Sequence, residues 1–452
     1  MNITILALSR ANIQQLLARG KFIFLSCLCL QICWLMAIWL TGTIDNTTKL
    51  PALIFYTLAI GIFLYFIPEH RLWKFNLCTK KNKKRQLALL GLVIIVVGWV
   101  YCIYQKFQAL VAEQGVYDAS VIISQYGFGA FFFQYKELFW LGIQHPPLVP
   151  MLNGIAMQIA GEEVIVLRLL SLFFGLGTTF VIYKLGSELR DPKIGALAAS
   201  TFVLFPYFFR LSAAASNDIQ VTFFCALTLL MTFRLLHTNT NTTALIGGVC
   251  FAAGLLSKYT LLLLYPVLIF LFFFDSRFKE RRLKLVILML VSAVIFMAWL
   301  ACAYAIGLFD LQITTLSKFT NSQTSTPWAK WMFLEFITTR LPSALGLYNI
   351  PLILLGFISL VGSLNQPTNR FIFVWVFVFF SAFSLTLPDA RYCMPAFPAL
   401  AILMADSLVR IRQYNTNIIW LLIANCAISL YLFVDWHRSS HLFIGDFLNQ
   451  MP

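Results

Sequence analysis

The chain has 452 residues, 60% of them hydrophobic and only 11% charged, with a mean hydropathy of +0.82. An ordinary soluble domain carries about 25% charged residues, so there is too little charge here to cover a water-facing surface. Disorder, collagen, coiled coil and a small disulfide scaffold are excluded by the same numbers. What remains is an all-α polytopic membrane protein. The net charge of +15 would point to nucleic acid in a soluble chain. In a membrane protein its placement decides, because Lys and Arg gather in cytoplasmic loops.

A helix needs about 20 apolar residues to cross a bilayer. In chain order the sequence predicts spans at roughly 22–42, 51–67, 87–106, 165–187, 192–209, 219–236, 244–257, 259–275, 284–306, 346–364, 371–387, 393–409 and 417–434. That makes thirteen, with 244–275 read as a hairpin carrying Lys258 at its tip. An N-terminus in the cytoplasm puts most of the 33 basic residues inside. The densest cluster, Lys80-Lys81-Asn82-Lys83-Lys84-Arg85, is then a topogenic loop facing anionic membrane lipid, with no nucleic-acid role. The ten cysteines sit almost all in apolar runs, where Cys acts as a small hydrophobe, and none has zinc-like spacing.

Two outer loops are long, at about 107–164 and 307–345. The first includes Leu148–Gly161, apolar but too short to span and preceded by Pro146-Pro147, which predicts an interfacial or re-entrant helix. The second includes a polar stretch, 319–327, followed by a mixed segment, 328–341, suited to the membrane surface. The division expected is 1–86 for two extra helices and the basic loop, 87–410 for the core, and 411–452 for the last helix and a short tail.

Ionisable residues at the membrane edge carry the functional signal, since burial there is expensive unless function needs it. They are Glu113 and Asp118, His145 before Pro146-Pro147, Arg168 in Arg168-Leu169-Leu170-Ser171, and Asp218 in Ser216-Asn217-Asp218. Lys258 in Gly254-Leu255-Leu256-Ser257-Lys258, and Arg391-Tyr392 in Arg391-Tyr392-Cys393-Met394-Pro395, complete the set. All fall on one face in this topology. Asp218 would also suit the N-cap of the helix that follows it.

In that order these motifs resemble the integral-membrane glycosyltransferases of the GT-C type, above all the protein O-mannosyltransferase and lipid A aminoarabinose transferase families. The resemblance covers about 87–410. It implies a GT-C fold with a long first extracytoplasmic loop carrying interfacial helices. It also implies transfer of a sugar from a polyprenyl-phosphate donor to a lipid, glycan or protein acceptor, in a bacterial inner membrane with the site facing the periplasm. Asp118 matches the family's first-loop catalytic aspartate, but an adjacent Asp-Glu is usual there and this chain has Asp118-Ala119. The base is therefore Asp118 or Glu113. Asp218 matches the second acid, while His145, Arg168, Lys258, Arg391 and Tyr392 fall at positions near the donor phosphate.

Physical chemistry fits the same roles. An acceptor hydroxyl needs a carboxylate to take its proton, and a leaving phosphate needs fixed positive charge rather than an acid. A single displacement through an oxocarbenium-like transition state implies inversion at the anomeric carbon. The residues do not by themselves call for a cofactor, and a divalent metal is the one candidate. Asp118 and Asp218 together would offer hard oxygen ligands to Mg²⁺ or Mn²⁺. The competing expectation is a transporter or flippase of lipid-linked sugars, which would favour internal repeats and midplane charges, and the sequence shows neither.

Overall fold

The structure is a computed structural model that describes residues 111–138, 145–203, 205–212, 214–314, 317, 336, 340–346, 349–385 and 389–412. The predicted spans at 22–42, 51–67, 87–106 and 417–434, the basic loop at 80–85 and the polar stretch 319–327 lie outside the described residues. The chain divides into two units, Met1–Cys102 with Arg410–Asn425 and Ile103–Val409 with Cys426–Pro452.

The described residues are helical throughout. Helix α1 is Val111–Gln134, followed by a 3-10 turn, Tyr135–Glu137. Then come α2 (Leu148–Ala160), α3 (Val164–Leu189), α4 (Pro192–Val203), α5 (Pro206–Ser212), α6 (Asn217–Thr238) and α7 (Asn241–Ser257). After a 3-10 turn at Tyr259–Leu263 the chain continues as α8 (Leu264–Phe274), a second turn at Ser276–Arg281 and α9 (Arg282–Ala305). The last described elements are α10 (Leu341–Leu345), α11 (Ile350–Val361), α12 (Pro367–Leu385), a 3-10 turn at Met394–Ala396 and α13 (Phe397–Arg412). By length and composition, Val164–Leu189, Asn217–Thr238 and Ser276–Ala305 can each cross a bilayer, while several of the other helices are apolar but shorter.

One expectation is overturned. The stretch 192–209, read as one span, is two helices, because Pro206 has no N–H to give and disfavours helix in the residue before it. The segment 107–164, expected to carry interfacial helices, holds among its described residues the expected α2 and the 24-residue α1, which is kinked at Gly127 (φ 79°). The period of α1 is not amphipathic enough to announce it. The break at Lys258 falls where the sequence reading placed it, with α7 ending at Ser257.

Side-chain chemistry sets the ends of these helices. Ser216 caps α6 by accepting from the Asp218 N–H at 3.2 Å, and Thr240 caps α7 by accepting from the Thr243 N–H at 3.2 Å. Asn239 closes α6 in the left-handed region (φ 48°), where Asn is tolerated and most residues are not. Within α6, Thr222, Thr228 and Thr232 donate to carbonyls one turn back at 2.7 to 2.9 Å. Each hydroxyl thus stays satisfied in an apolar interior, where an unpaired one is costly.

Packing centres on α3 and α6. Helix α3 lies along α4 and α6, α6 along α7, α7 along α9, and α1 along α2. The buried face of α3 runs Leu167, Arg168, Ser171, Phe174, Gly175, Thr178, Val181, Ile182, Leu185, a stripe at steps of three and four. Where α3 meets α4 the backbones nearly touch. A Cβ added at Gly195 would sit 2.4 Å from the Tyr183 carbonyl oxygen and 2.8 Å from the Ser187 nitrogen. The obstructing atoms are backbone and cannot rotate away. We therefore expect Gly195→Val to lower the melting temperature of the detergent-solubilised protein, by an overpacking cost of about 1–3 kcal/mol or more. Gly129→Ala in α1, where a Cβ meets nothing within 4 Å, should melt with the wild type. Equal melting of Gly195→Val and wild type would mean α3 and α4 are not packed this closely.

Candidate functional site

Glu113 lies in the first turn of α1 and is only 2% exposed. Arg168, from the second turn of α3, holds it in a fork: Nε donates to Oε1 at 2.8 Å and Nη2 to Oε2 at 2.9 Å. The Ala215 N–H, just before α6, donates to the same Oε1 at 3.0 Å. Two-pronged Arg–carboxylate contact is the strongest common form of ion pair, and it fixes the plane of the carboxylate. The first outer segment therefore folds back onto α3 and α6.

Three residues beyond Ala215 stands Asp218, also buried. Three residues of chain reach at most about 10 Å, so the anchor of Glu113 and the second acid are neighbours along one turn. Asp218 Oδ1 meets Lys258 Nζ at 2.5 Å, and its Oδ2 accepts from the Ser216 hydroxyl at 3.0 Å. Lys258 follows the last residue of α7 in extended backbone (φ −161°, ψ 133°), which points it out of the helix. Its ammonium sits 4.4 Å from the centroid of the Tyr392 ring. That ring stacks in turn on Phe383 at 5.3 Å. A cation shared between a carboxylate and an aromatic face is well held even where water is scarce.

Arg391, one residue before Tyr392, is paired with Asp389 at 2.7 Å. The charge of Asp389 raises Arg391 well above its ordinary value against the opposing effect of burial, and Asp218 adds to the rise. Burial alone would push the Asp389 carboxyl up, yet the Arg391 guanidinium, with its charge and hydrogen bonds, holds it below its ordinary value. Burial pushes the Tyr392 phenol up to about 12. The turn is placed by the Pro395 carbonyl, which accepts from Trp375 Nε1 at 3.1 Å and from the Cys225 thiol on α6 at 3.5 Å.

The remaining predicted residues fall as follows. His145 is buried ahead of α2, and its carbonyl accepts from the Tyr135 hydroxyl at 2.6 Å. Asp118 is exposed on α1 and takes a hydrogen bond from Gln114 Nε2 at 2.7 Å. Five residues separate it from Glu113, about 140° around a helix, so the two acids face different ways. Glu113, and not Asp118, is the acid that returns to the Asp218 turn. Arg168, placed by the sequence reading near a donor phosphate, is engaged with Glu113.

A divalent cation does not fit the pair offered for it. Asp118 and Asp218 have different surroundings, Asp218 already faces an ammonium, and no group of three or more His, Cys, Asp and Glu gathers for a metal among the described residues. Asp389, the Ala215 N–H and Ser216 were not singled out from the sequence. The Asp389-Ala390-Arg391 spacing was visible there, whereas a backbone donor leaves no trace in side-chain identity.

Several known proteins are similar to this chain. The family model for dolichyl-phosphate-mannose-protein mannosyltransferases matches residues 144–301, a stretch that includes His145, Arg168, Asp218 and Lys258. An undecaprenyl phosphate-alpha-4-amino-4-deoxy-L-arabinose arabinosyl transferase of Pseudomonas paraeruginosa is 26% identical over 287 residues, 58% of this chain and 49% of the relative. Among solved structures, ArnT from Cupriavidus metallidurans in the apo state superposes with a TM-score of 0.52 at 17% identity, covering 72% of this chain and 60% of that one. ArnT bound to undecaprenyl phosphate gives a TM-score of 0.51 at 16% identity, covering 72% of this chain and 60% of that one. The Archaeoglobus fulgidus oligosaccharyltransferase in complex with Zn and sulfate gives 0.54 at 15% identity, covering 76% of this chain and 52% of that one. The chain thus spans about half the length of the curated relative it matches.

The buried pairs make a stability prediction. Lys258→Met strands the Asp218 charge, and breaking a buried pair from one side costs about 3–5 kcal/mol. We expect a large drop in the melting temperature of the detergent-solubilised protein. Adding Asp218→Asn to Lys258→Met should recover most of that drop. If the double variant melts no higher than the single one, the two groups are not paired as described.

Proposed function

We propose that the chain is an integral-membrane glycosyltransferase of the GT-C type, as the proteins it resembles suggest, and that it moves a sugar from a polyprenyl-phosphate donor to a lipid, glycan or protein acceptor at the extracytoplasmic face of the membrane. One observation carries the reading. The turn at Ala215–Asp218 gathers two buried carboxylates, each held by its own cation, with the Asp389-Ala390-Arg391 turn beside them.

In this reading Glu113 is the base. Its Oε1 already accepts two hydrogen bonds, from Arg168 and Ala215, but Oε2 accepts one and keeps a lone pair for the acceptor's proton. Arg168 positions that carboxylate. Lys258 and Arg391 meet the phosphate, whose charge grows as the bond to the anomeric carbon breaks. Asp218 and Tyr392 hold Lys258 ready, and a side chain already fixed loses little entropy when the donor arrives. The base and the leaving phosphate would stand on opposite sides of the sugar, so the product is inverted. The relative named for undecaprenyl-phosphate-linked aminoarabinose and the ArnT structure bound to undecaprenyl phosphate support undecaprenyl phosphate as the lipid carrier. No protein group needs a metal for these steps.

The test compares the two acids of α1 in purified protein with a polyprenyl-phosphate sugar. Glu113→Gln should cut turnover by about 10²-fold or more, the usual scale for losing a general base. Asp118→Asn, altering an exposed residue, should stay near wild type, and melting curves will show that both variants fold. The opposite pattern would move the base to Asp118. Near-normal turnover in both would mean that neither acid is the base, and wild-type protein that transfers no sugar would set the transferase mechanism aside in favour of transport.

A further inference from the structure

The residue after Lys258 has no part in the chemistry above, yet its side chain is anchored by two directional hydrogen bonds and a ring contact. The Tyr259 hydroxyl accepts from Trp299 Nε1 at 3.1 Å and donates to Gln312 Oε1 at 2.9 Å. Phe296, one helical turn before Trp299 on α9, packs edge-on against the Tyr259 ring at 6.0 Å. The Trp299 ring in turn meets Tyr135 edge-on at 5.9 Å and Phe132 at 6.4 Å. Tyr135 reaches the His145 carbonyl. The elements joined are the first outer segment (Phe132, Tyr135, His145), the outer half of α9 (Phe296, Trp299) and the helical stretch 309–314 of the second outer segment, which carries Gln312. All of them converge on Tyr259.

We propose that Tyr259, fixed by Trp299 and Gln312, is the positioning residue for Lys258, and that through it both outer segments set where the Lys258 ammonium stands. The argument is geometric. Lys258 lies in extended backbone between α7 and the following 3-10 turn, so no helical hydrogen-bond ladder on both sides fixes its Cα–Cβ direction. A long flexible stem could place its charge in many positions, and holding one of them is entropically costly. Anchoring the next residue by two directional hydrogen bonds removes that freedom at the backbone. Simple space filling would not need the hydroxyl, because a Phe at 259 would fill the same volume. The tyrosine's oxygen is used both as acceptor and as donor, which ties α9 and the second outer segment to one atom. The proposal rests on the reading in which Lys258 meets the donor phosphate.

The test uses the full-length chain in detergent or nanodiscs, with undecaprenyl phosphate as the probe for binding and a polyprenyl-phosphate sugar for turnover. Trp299→Phe keeps the ring contacts and removes only the N–H, while Tyr259→Phe removes only the hydroxyl. Each should weaken undecaprenyl phosphate binding about two- to tenfold, the range of one net hydrogen bond, with melting temperatures close to wild type. The decisive readout is coupling. In a background of Lys258→Met with Asp218→Asn, which keeps most of the wild-type melting temperature and has no ammonium left to position, Trp299→Phe and Tyr259→Phe should change binding no further. Losses that multiply with the loss in that background, or wild-type binding in both single variants, would overturn the proposal while leaving the transferase reading intact. Wild-type protein that neither binds undecaprenyl phosphate nor transfers sugar would end that reading and the proposal with it.

Discussion

Everything about this site depends on how four charges are kept in the interior of an apolar helical bundle. An isolated carboxylate there would be prohibitively costly, and each is tolerated only beside a cation and with a further hydrogen bond to hold it. The turn Ala215–Asp218 solves this for two acids at once: its backbone N–H takes Glu113, its side chain takes Lys258, and Ser216 both caps the helix and bonds Asp218. The long stretch of chain between Glu113 and Ala215 has to fold so that the two meet. Helices α1 to α5 are, in that sense, the scaffold that closes this contact.

The same constraint gives the pieces their separate roles. A guanidinium that grips both oxygens of one carboxylate fixes its plane, as Arg168 does for Glu113. An ammonium is a point charge on a flexible stem, suited to following a phosphate, and Lys258 is one. It is held by Asp218 on one side and by the Tyr392 ring on the other, and the Arg391–Asp389 pair stands close enough for Arg391 to feel the Asp218 charge. With the proposed base gripped by a guanidinium and the proposed phosphate ligand held by a carboxylate and an aromatic ring, the arrangement suits transfer better than passage of a substrate.

Much of this was legible in the sequence, for reasons that can be named. The apolar composition fixed an all-helical membrane protein, and the polar motifs Arg168-Leu169-Leu170-Ser171, Ser216-Asn217-Asp218 and Ser257-Lys258 stood out because ionisable groups are rare in such a chain. Lys258 at the end of a helix was readable from the over-long apolar run around it. What sequence could not resolve was which acid of α1 turns inward. Glu113 and Asp118 are five residues apart, and with no amphipathic stripe on α1 nothing in the pattern says which side is buried. Pro206 marked the split of 192–209, yet its neighbours are so apolar that composition alone ran the two helices together. The hydrogen bonds through Tyr259, Trp299 and Gln312 join residues far apart in the chain, and only the fold brings them together.

The central claim is that the Asp218–Lys258 pair and Arg391 form the phosphate end of the site, with Glu113 beside it. It is tested most directly by a cryo-EM structure of the full-length protein bound to undecaprenyl phosphate. The account predicts the phosphate within salt-bridge distance, about 4 Å, of Lys258 Nζ or the Arg391 guanidinium, with the Glu113 carboxylate facing the space above it and Asp118 still in solvent. A phosphate lodged beside Asp118, or one that contacts neither Lys258 nor Arg391, would contradict it.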